Sequence, residues 1–184
     1  KLFTFDGIVE SICEKLIRRH PHVFADSLFL NEQEIKQNWE NEKAKERLQK
    51  NQQQSLLDDI PKALPALAQA QKIQKRCSHV GFDWDNINDV FAKVKEEIEE
   101  IQQELDADEV DQAKLAEEIG DLLFATVNLA RHAKKDAEQV LRQASSKFSK
   151  RFQLIEQHHF DNNKDIKHST LAELEQLWQQ AKQR

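Results

Sequence analysis

Only three glycines and three prolines interrupt the 184 residues of this chain, and it contains no tyrosine. Such a composition is poor in turn and strand formers, whereas the abundant Gln, Glu, Lys, Leu and Ala favour helices. Because the three glycines lie far apart, no glycine-rich loop is present to hold a phosphate through backbone amides. The sequence therefore predicts an all-α protein and excludes both the P-loop and the dinucleotide-binding fingerprint.

The charge and the cysteines narrow the functional class further. The formal net charge is -6, whereas binding of a nucleic-acid polymer normally requires a basic surface. The two cysteines lack CxxC spacing, which argues against a disulfide framework and against structural zinc. The longest uncharged apolar stretch, 122–130, is about half the length of a membrane span. We expect a cytoplasmic protein that binds neither nucleic-acid polymers nor membranes.

The N-terminal third of the chain differs in pattern from the rest. Apolar residues at four-residue spacing predict a helix over 5–19, and Pro21 ends it because the residue before a proline leaves helical geometry. Residues 31–54 favour helix but are almost wholly polar, so this segment is interpreted as a linker.

A new helical unit begins near Pro61. A loop at 81–86 follows its first helix, with Asp85 or Asn86 as the cap of the next one. Helices are predicted at 64–77, 87–105, 112–133, 137–158 and 171–183. The fold predicted for this unit is a four-helix bundle with an extra C-terminal helix.

Two consecutive helices carry matching acidic pairs beside their apolar stripes. The pair is Glu97 and Glu100 on the first helix, and Glu118 and Asp121 on the second. On each helix the two acids lie about 60° and about 120° from the stripe, on the same side. Side chains three residues apart on a helix are neighbours, with Cβ atoms roughly 5–6 Å apart, so each pair can share one cation.

The second of these helices gives the stronger signal. Residues 122–130 are uncharged and apolar nearly all round, which predicts a buried helix. Four polar residues nevertheless fall in one stripe along it: Glu118, Asp121, Asn128 and His132. Four carboxylates between two helices repel one another unless a cation lies among them. Carboxylate oxygens prefer hard divalent ions, which predicts a Mg²⁺ site, with Mn²⁺ as an expected substitute.

Two alternatives to a magnesium site stay open from this pattern alone. An acidic helix face is more often solvated surface than a metal site. A ferritin-like di-iron site is the other alternative, but it needs Glu-x-x-His on two helices. Here the residue three positions after Glu97 and after Glu118 is a second carboxylate in both cases, which disfavours iron.

Basic and aromatic residues on the last two helices indicate what the metal would bind. Lys147 and Arg151 are one turn apart, and so are Trp178 and Lys182. Cations near a metal–carboxylate site indicate a polyphosphate held by metal and side chains, and an aromatic ring can stack on a base. Surface charge or core packing is the alternative role for these residues, and packing is the alternative for Trp84.

Two acidic segments, KVKEEIEE (93–100) and KLAEEIGDLLFATVNLARH (114–132), resemble the MazG family of nucleoside triphosphate pyrophosphohydrolases. Residues 60–84 and 146–152 resemble the same family, so the likeness covers essentially the whole chain. The resemblance implies an all-α homodimer that hydrolyses nucleoside triphosphates to monophosphate and pyrophosphate with Mg²⁺.

The resemblance also implies a role for each candidate site residue. The implied metal ligands are Glu97, Glu100, Glu118 and Asp121. Glu96 and Glu117 would be auxiliary ligands or water-positioning groups. The expected substrate-binding residues are Lys147, Arg151, Trp178, Lys182, Asn128 and Trp84.

The reaction expected from these roles is metal-assisted hydrolysis at the α-phosphorus. Lys147, Arg151 and Lys182 would stabilise charge on the phosphates, and Glu97 or Glu96 would orient or deprotonate the attacking water. The alternative is a non-catalytic helical interaction module. Members of the family have been associated with stress-response and toxin–antitoxin systems, so a protein partner of that kind is the rival expectation.

The domain organisation is interpreted from the same resemblance. Long MazG proteins carry two such domains in tandem, and residues 14–26 resemble the tail of the first. The chain contains no methionine, and we expect it to be a fragment. The predicted parts are an upstream-domain remnant at 1–26, a polar helical linker at 27–57 and a catalytic domain at 58–184.

Overall fold

The computed structural model describes residues 4–24, 55–58 and 60–183, together with residues 31, 34–35, 38–39, 41–42 and 45. The chain forms two compact units, Lys1–Ser55 and Leu56–Arg184. Most of the predicted linker at 27–57 lies outside the described residues, so the predicted domain boundaries stay a prediction.

The first unit contains helix α1 (Phe5–Arg19) and the short helix α2 (Pro21–Phe24). The Thr4 hydroxyl accepts a hydrogen bond from the backbone N–H of Gly7, which caps α1. The prediction of a helix over 5–19 is therefore confirmed. Helical structure resumes at Pro21 because a proline is tolerated at the first position of a helix, where its missing N–H has no partner to lose.

The described residues of the second unit form five α-helices and one 3₁₀ turn. They are α3 (Ala66–Ser78), α4 (Ile87–Leu105), α5 (Gln112–His132), α6 (Ala137–Asp161), the 3₁₀ turn Ile166–His168, and α7 (Leu171–Lys182). Helix α5 is central, because it contacts α3, α4 and α6, while α7 packs against α6. No strand occurs among the residues that the structure describes, so the all-α prediction is confirmed.

Side-chain caps explain where these helices begin. Asn86 accepts from the backbone N–H groups of Asn88 and Asp89 at the start of α4. Asp111 and Asp136 cap α5 and α6 in the same way. The segments that connect these helices are short and polar. Successive helices are therefore neighbours in the bundle.

Gln71 attaches α3 to the turn between α5 and α6. Its Nε2 donates to the carbonyl of Lys135 at 2.8 Å, and its Oε1 accepts from the backbone N–H of Ala137 at 2.8 Å. Lys134 adopts a positive φ of 58° in this turn. The first turn of α6 is therefore fixed against α3 by side-chain hydrogen bonds as well as by packing.

The prediction that residues 122–130 are buried all round is wrong for one face. Ala125, Val127 and Asn128 are buried, but Leu123 is 55% exposed and Phe124 is 42% exposed. The described helices of this unit cover only one side of α5, and Leu123 and Phe124 lie on the side that they leave exposed.

The apolar stripe predicted on α4 does not coincide with the face that is buried. Val94 is buried as expected, but Ile98 and Leu105 are each 51% exposed. The buried face consists of Val90, Val94 and Glu97, so an acid replaces the expected apolar residue. Among the described helices, none combines the length and the apolar character that crossing a membrane would require.

Candidate functional site

Helices α4 and α5 bring three carboxylates together. One oxygen from each of Glu97, Glu100 and Glu118 lies within 4.8 Å of the others, and these residues are called the carboxylate cluster. Glu97 is buried, with 4% of its surface exposed, while Glu100 and Glu118 are partly buried. Oxygen atoms at this spacing can share one hard divalent cation.

Lys93 supplies positive charge next to the cluster. Its Nζ lies 2.8 Å from Oε1 of Glu97 and 2.7 Å from Oε1 of Glu96. The hydrogen bonds to Glu96 and to Glu97 raise the pKa of Lys93 above its ordinary value. Lys93 therefore stays protonated and compensates the buried charge of Glu97.

The charge of the cluster exceeds what one lysine can balance. Partial burial raises the pKa of Glu100, and its hydrogen bond with Glu97 and the nearby Glu118 raise it further. An elevated pKa here means that the ionised form of Glu100 is disfavoured by its acidic neighbours. A divalent cation would relieve this repulsion, so the donor set fits such an ion.

The other predicted acids lie around the cluster rather than in it. Asp121 is exposed and lines the cavity described next together with Glu97. Glu96 is exposed and bonds Lys93, and Glu117 is exposed on α5. The structure thus brings together three of the four predicted ligands and places the fourth at an adjoining surface.

A cavity of about 450 Å³ lies among α3, the 81–86 loop, α4 and α5, and is called the interhelical cavity. Its volume is in the range of small-molecule sites. Glu97 and Asp121 contribute to its wall, so it adjoins the carboxylate cluster. The remaining lining residues are Ile73, Gln74, Cys77, Phe82, Asp83, Trp84, Val90, Lys93, Phe124, Ala125, Asn128 and Arg131.

An ion-pair network joins the 81–86 loop to the end of α5. The Arg131 guanidinium donates to both carboxylate oxygens of Asp83, at 2.9 and 2.5 Å, and Nε2 of His132 lies 3.0 Å from the same carboxylate. Burial alone raises the pKa of Asp83, but the hydrogen bonds from Arg131 and His132 outweigh it and lower the pKa to about 2. The backbone N–H of Trp84, which lines the cavity, also donates to the Asp83 carboxylate at 3.0 Å.

Asn128 belongs to the same network. Its Oδ1 accepts from Nε and from Nη2 of Arg131, at 2.9 and 2.7 Å. Asn128 is 5% exposed and lines the interhelical cavity. The two predicted substrate residues Trp84 and Asn128 therefore line the cavity to which Glu97 also contributes.

Three of the other four predicted substrate residues line a separate cavity, called the basic groove, and the fourth, Trp178, contacts one of them. Lys147 and Arg151 of α6 and Lys182 of α7 line a cavity of about 470 Å³. The ring of Trp178 packs on Phe148 at 4.8 Å between centroids, and the Arg151 guanidinium lies 5.9 Å from the Trp178 ring centre. The basic groove and the interhelical cavity share no lining residue.

Sequence reasoning missed several residues of the interhelical cavity. Lys93 precedes Glu97 by one helical turn, and that spacing was a readable signal for an ion pair. Asp83 and Arg131 are 48 residues apart, so no local pattern links them. Gln74 was also missed, because a glutamine on a helix surface carries no signal of burial by itself.

Comparisons of the sequence with known proteins show which family it matches. A family model described as the MazG nucleotide pyrophosphohydrolase domain matches residues 86–155, which run from the cap of α4 into α6. A protein of Escherichia coli (strain K12) named nucleoside triphosphate pyrophosphohydrolase is 52% identical over 180 residues, which cover 98% of this chain and 68% of that protein.

Two more distant relatives show how far the likeness extends. The nucleoside triphosphate pyrophosphohydrolase/pyrophosphatase MazG of Thermotoga maritima is 38% identical over 180 residues, covering 98% of this chain and 66% of that protein. A nucleoside triphosphate pyrophosphohydrolase of Mycolicibacterium smegmatis is 40% identical over 80 residues, covering 43% of this chain and 24% of that protein.

Proposed function

Since the chain belongs to the MazG family of nucleotide pyrophosphohydrolases, we propose that it hydrolyses nucleoside triphosphates to a nucleoside monophosphate and pyrophosphate. The observation that carries this proposal is the carboxylate cluster at the edge of a cavity large enough for a nucleoside. An acidic surface without a function would not need a buried glutamate, whose desolvation is costly.

The metal proposed for this site is Mg²⁺, with Mn²⁺ as a substitute. Glu97, Glu100 and Glu118 offer the hard oxygen donors that this ion prefers, and Asp121 is proposed as the fourth ligand. When bound, the ion would polarise the phosphate oxygens and lower the pKa of a bound water. Glu117 is kept as an auxiliary group.

Glu96 and Glu97 are the residues proposed to orient or deprotonate the attacking water. Both carboxylates contact the Nζ of Lys93, which fixes their positions relative to each other. A carboxylate that is held in place and not saturated by metal is suited to accept a proton. Glu96 is the more exposed of the two, with 57% of its side chain accessible, so water reaches it freely.

The phosphates are proposed to be contacted by Lys147, Arg151 and Lys182 of the basic groove. These side chains are exposed or partly exposed, and the residues that line their cavity include no acid. Guanidinium and ammonium groups bind phosphate oxygens through charge-assisted hydrogen bonds. Trp178 lies beside Arg151 and supports its position through the ring contact.

A homodimer is proposed as the functional state. Large apolar residues remain exposed on consecutive helices of the bundle, among them Ile98, Leu123 and Leu141. A second copy of the chain that covers these residues would remove their apolar area from water, the main favourable contribution to association. Sedimentation of the purified protein tests this, and a monomer at micromolar concentration would contradict it.

The catalytic domain is proposed to span 58–184, which contains every candidate site residue and the family match. Cys13 and Cys77 are free thiols, which supports the proposed cytoplasmic location, since reducing compartments keep cysteines unpaired. A stress-response protein partner is retained only as the rival proposal.

Pyrophosphate release from nucleoside triphosphates tests the function. We expect release that requires Mg²⁺, stops with a chelator, and is lost in the Glu118→Gln variant. Glu99→Gln is the matched control, because Glu99 is an exposed acid on α4 with no assigned role. A folded protein without Mg²⁺-dependent release would contradict the proposal and favour a non-catalytic module that binds a basic partner.

A further inference from the structure

His159 links the end of α6 to the connection that leads into α7. The residue is 4% exposed, and among the described residues of α6 and α7 it is the one buried polar side chain. Its Nδ1 lies 2.8 Å from the carbonyl oxygen of Ile155, and its Nε2 lies 2.7 Å from the hydroxyl oxygen of Ser169. A buried ring with both nitrogens bonded is held in a single orientation.

Only one of these two hydrogen bonds relates the two helices. A backbone carbonyl can only accept, so Nδ1 donates to Ile155 within α6 itself. Nε2 of the neutral ring is then an acceptor, and the Ser169 hydroxyl donates to it. Ser169 directly precedes Thr170, the cap of α7. The bond between His159 and Ser169 therefore joins α6 to the start of α7.

The backbone of His159 holds the other end of the same connection. Its carbonyl accepts from the N–H of Lys164 at 2.9 Å, and Asn163 adopts a positive φ of 49° where the chain leaves α6. The segment 162–170 is thus attached to one residue near its start, through the backbone, and at Ser169, through the ring. His159 contacts both ends of the connection that determines where α7 begins.

The face of α6 that carries His159 also carries part of the basic groove. Arg151, Ile155 and His159 are spaced four residues apart, so they lie on one face of α6. On this face Arg151 lies against Trp178, while His159 lies against Ser169, so α6 and α7 are antiparallel. His159 is about 12 Å from Arg151 along the helix axis, at the other end of the contact between α6 and α7.

A hydrogen bond restricts how α7 lies along α6 in a way that apolar contacts do not. The buried apolar residues of this contact are Ile155 and Ala181, and hydrophobic burial has no preferred direction. A hydrogen bond needs a distance of about 3 Å and a nearly linear arrangement, so it tolerates little sliding or rotation. The bond between His159 and Ser169 supplies this direction.

We propose that His159 is a positioning residue for substrate binding, which sets Trp178 and Lys182 at the basic groove through its hydrogen bond to Ser169. This inference rests on the proposed contact of the basic groove with the phosphates of the substrate. Neither His159 nor Ser169 lines the basic groove or the interhelical cavity, so their effect on the substrate passes through α7. Loss of the bond should raise KM and leave kcat unchanged.

Steady-state release of pyrophosphate from ATP tests the proposal in the full chain. Ser169→Ala removes the donor to His159 and keeps the buried ring. We expect KM to rise about fivefold, with kcat within twofold of the parent. Thr170→Ala is the matched control, because it removes a hydroxyl from the next residue and weakens the cap of α7 without touching His159. Its KM should rise less than twofold, and equal rises in the two variants would overturn the proposal.

Substitutions of His159 itself supply a rescue test. His159→Gln can place an amide oxygen where Nε2 accepts, whereas His159→Leu offers no acceptor. We expect a KM within twofold of the parent for His159→Gln and a rise of about fivefold for His159→Leu. A KM that rises equally in both variants would contradict the role of the acceptor.

A double-variant cycle shows whether the effect passes through α7. Lys182→Gln removes the α7 cation that lines the basic groove. In the Lys182→Gln protein, Ser169→Ala should raise KM less than twofold, because the group that the bond positions is already gone. A full fivefold rise in that background would show that the bond acts elsewhere and would overturn the proposal.

Calorimetry with Mg²⁺ and α,β-methylene-ATP, whose α–β bridge is not hydrolysed, distinguishes failure of this inference from failure of the proposed function. We expect Kd for this analogue to rise about fivefold in Ser169→Ala. Hydrolysis of ATP by the parent, with KM and Kd unchanged in Ser169→Ala, would support the function and refute this inference. Weaker binding in Ser169→Ala without hydrolysis by the parent would support this inference and refute the function. A parent that neither binds the analogue nor hydrolyses ATP would refute both.

Discussion

The two charged sites of this chain differ in sign and in burial. Between Glu96 and Asp121 there are twelve acidic residues and one lysine, so this stretch carries -11 and the rest of the chain carries +5. The carboxylate cluster contains a buried glutamate, whereas Lys147 and Lys182 of the basic groove are exposed. The acidic stretch therefore includes a carboxylate that is shielded from water, whereas the lysines of the basic groove are solvated.

This difference predicts unequal consequences of mutation. A buried carboxylate interacts strongly with its neighbours, because water does not screen it, and removal of one ligand changes the charge and geometry of the whole cluster. Exposed cations are screened by salt and by water, so each contributes a modest amount. Loss of a carboxylate should therefore mainly lower kcat, whereas loss of a cation should mainly raise KM.

Among the variants that lie outside the carboxylate cluster, Asp121→Asn is expected to have the largest effect. Asp121 lies outside the cluster of three but lines the cavity with Glu97, so its loss tests the proposed fourth ligand directly. We expect kcat to fall by more than the roughly 10–100-fold that loss of an outer-shell partner of a metal costs. Circular dichroism should show unchanged helix content. Activity within threefold of the parent would remove Asp121 from the ligand set.

Asp83→Asn should lower the stability of the fold, because Asp83 joins the 81–86 loop to the end of α5. The pKa of Asp83 is lowered from 3.8 to about 2, so its carboxylate stabilises the fold at neutral pH, by about 1 kcal/mol because solvent screens much of the interaction. Because the folded pKa is the lower one, this contribution is complete above about pH 5 and is lost as the pH falls through 4 to 2. Urea unfolding of both proteins across this range measures the difference.

The expected result is a gap between parent and Asp83→Asn that is wide at pH 7 and closes toward pH 2. The gap should close with pH because the protonated Asp83 no longer pairs with Arg131 and His132. Asp85→Asn is the control, since it removes an exposed acid from the same loop. A gap that does not depend on pH would show that Asp83 acts through packing rather than through its charge.

The helices and the acidic pairs were predictable because their signals are local. Asn86 caps α4 with its own side chain, and Glu97 and Glu100 are neighbours on any helix that contains them. Their association with Glu118 was predictable as well, since consecutive antiparallel helices with matching offsets face each other. The all-α class followed from composition and periodicity alone.

What the sequence could not show depends on tertiary contacts. The exposure of Leu123 cannot be deduced from its helix, because an apolar residue has the same signal whether its own chain or a second copy covers it. The pairing of Asp83 with Arg131 joins residues far apart in the sequence. The buried Oε1 of Gln74 has no hydrogen-bond partner among the described residues, because its Nε2 bonds the Phe124 carbonyl.

Arg151→Gln tests how much the basic groove contributes to substrate binding. Its guanidinium lies on Trp178 and lines the basic groove, so we expect KM for nucleoside triphosphates to rise about tenfold, equivalent to about 1.4 kcal/mol, with a smaller change in kcat. The rise in KM between 50 and 200 mM salt should also be shallower than in the parent. Lys135→Gln is the control, because it removes a charge outside the groove. A fall in kcat as large as that of Asp121→Asn would place Arg151 in the chemical step.

Thr170→Ala should have the smallest effect on catalysis, and it should affect only substrate binding by the basic groove. Thr170 and Glu173 form a capping box at the start of α7, in which Oε2 of Glu173 accepts from the Thr170 N–H at 2.8 Å. Loss of the Thr170 hydroxyl should destabilise the fold by about 1 kcal/mol in urea unfolding, because the Glu173 N–H loses its acceptor. Since α7 carries Trp178 and Lys182, KM should rise less than twofold while kcat stays unchanged. Ser145→Ala, which removes a hydroxyl within α6 but no cap, should stay within about 0.5 kcal/mol of the parent, and equal destabilisation by the two variants would contradict a capping role.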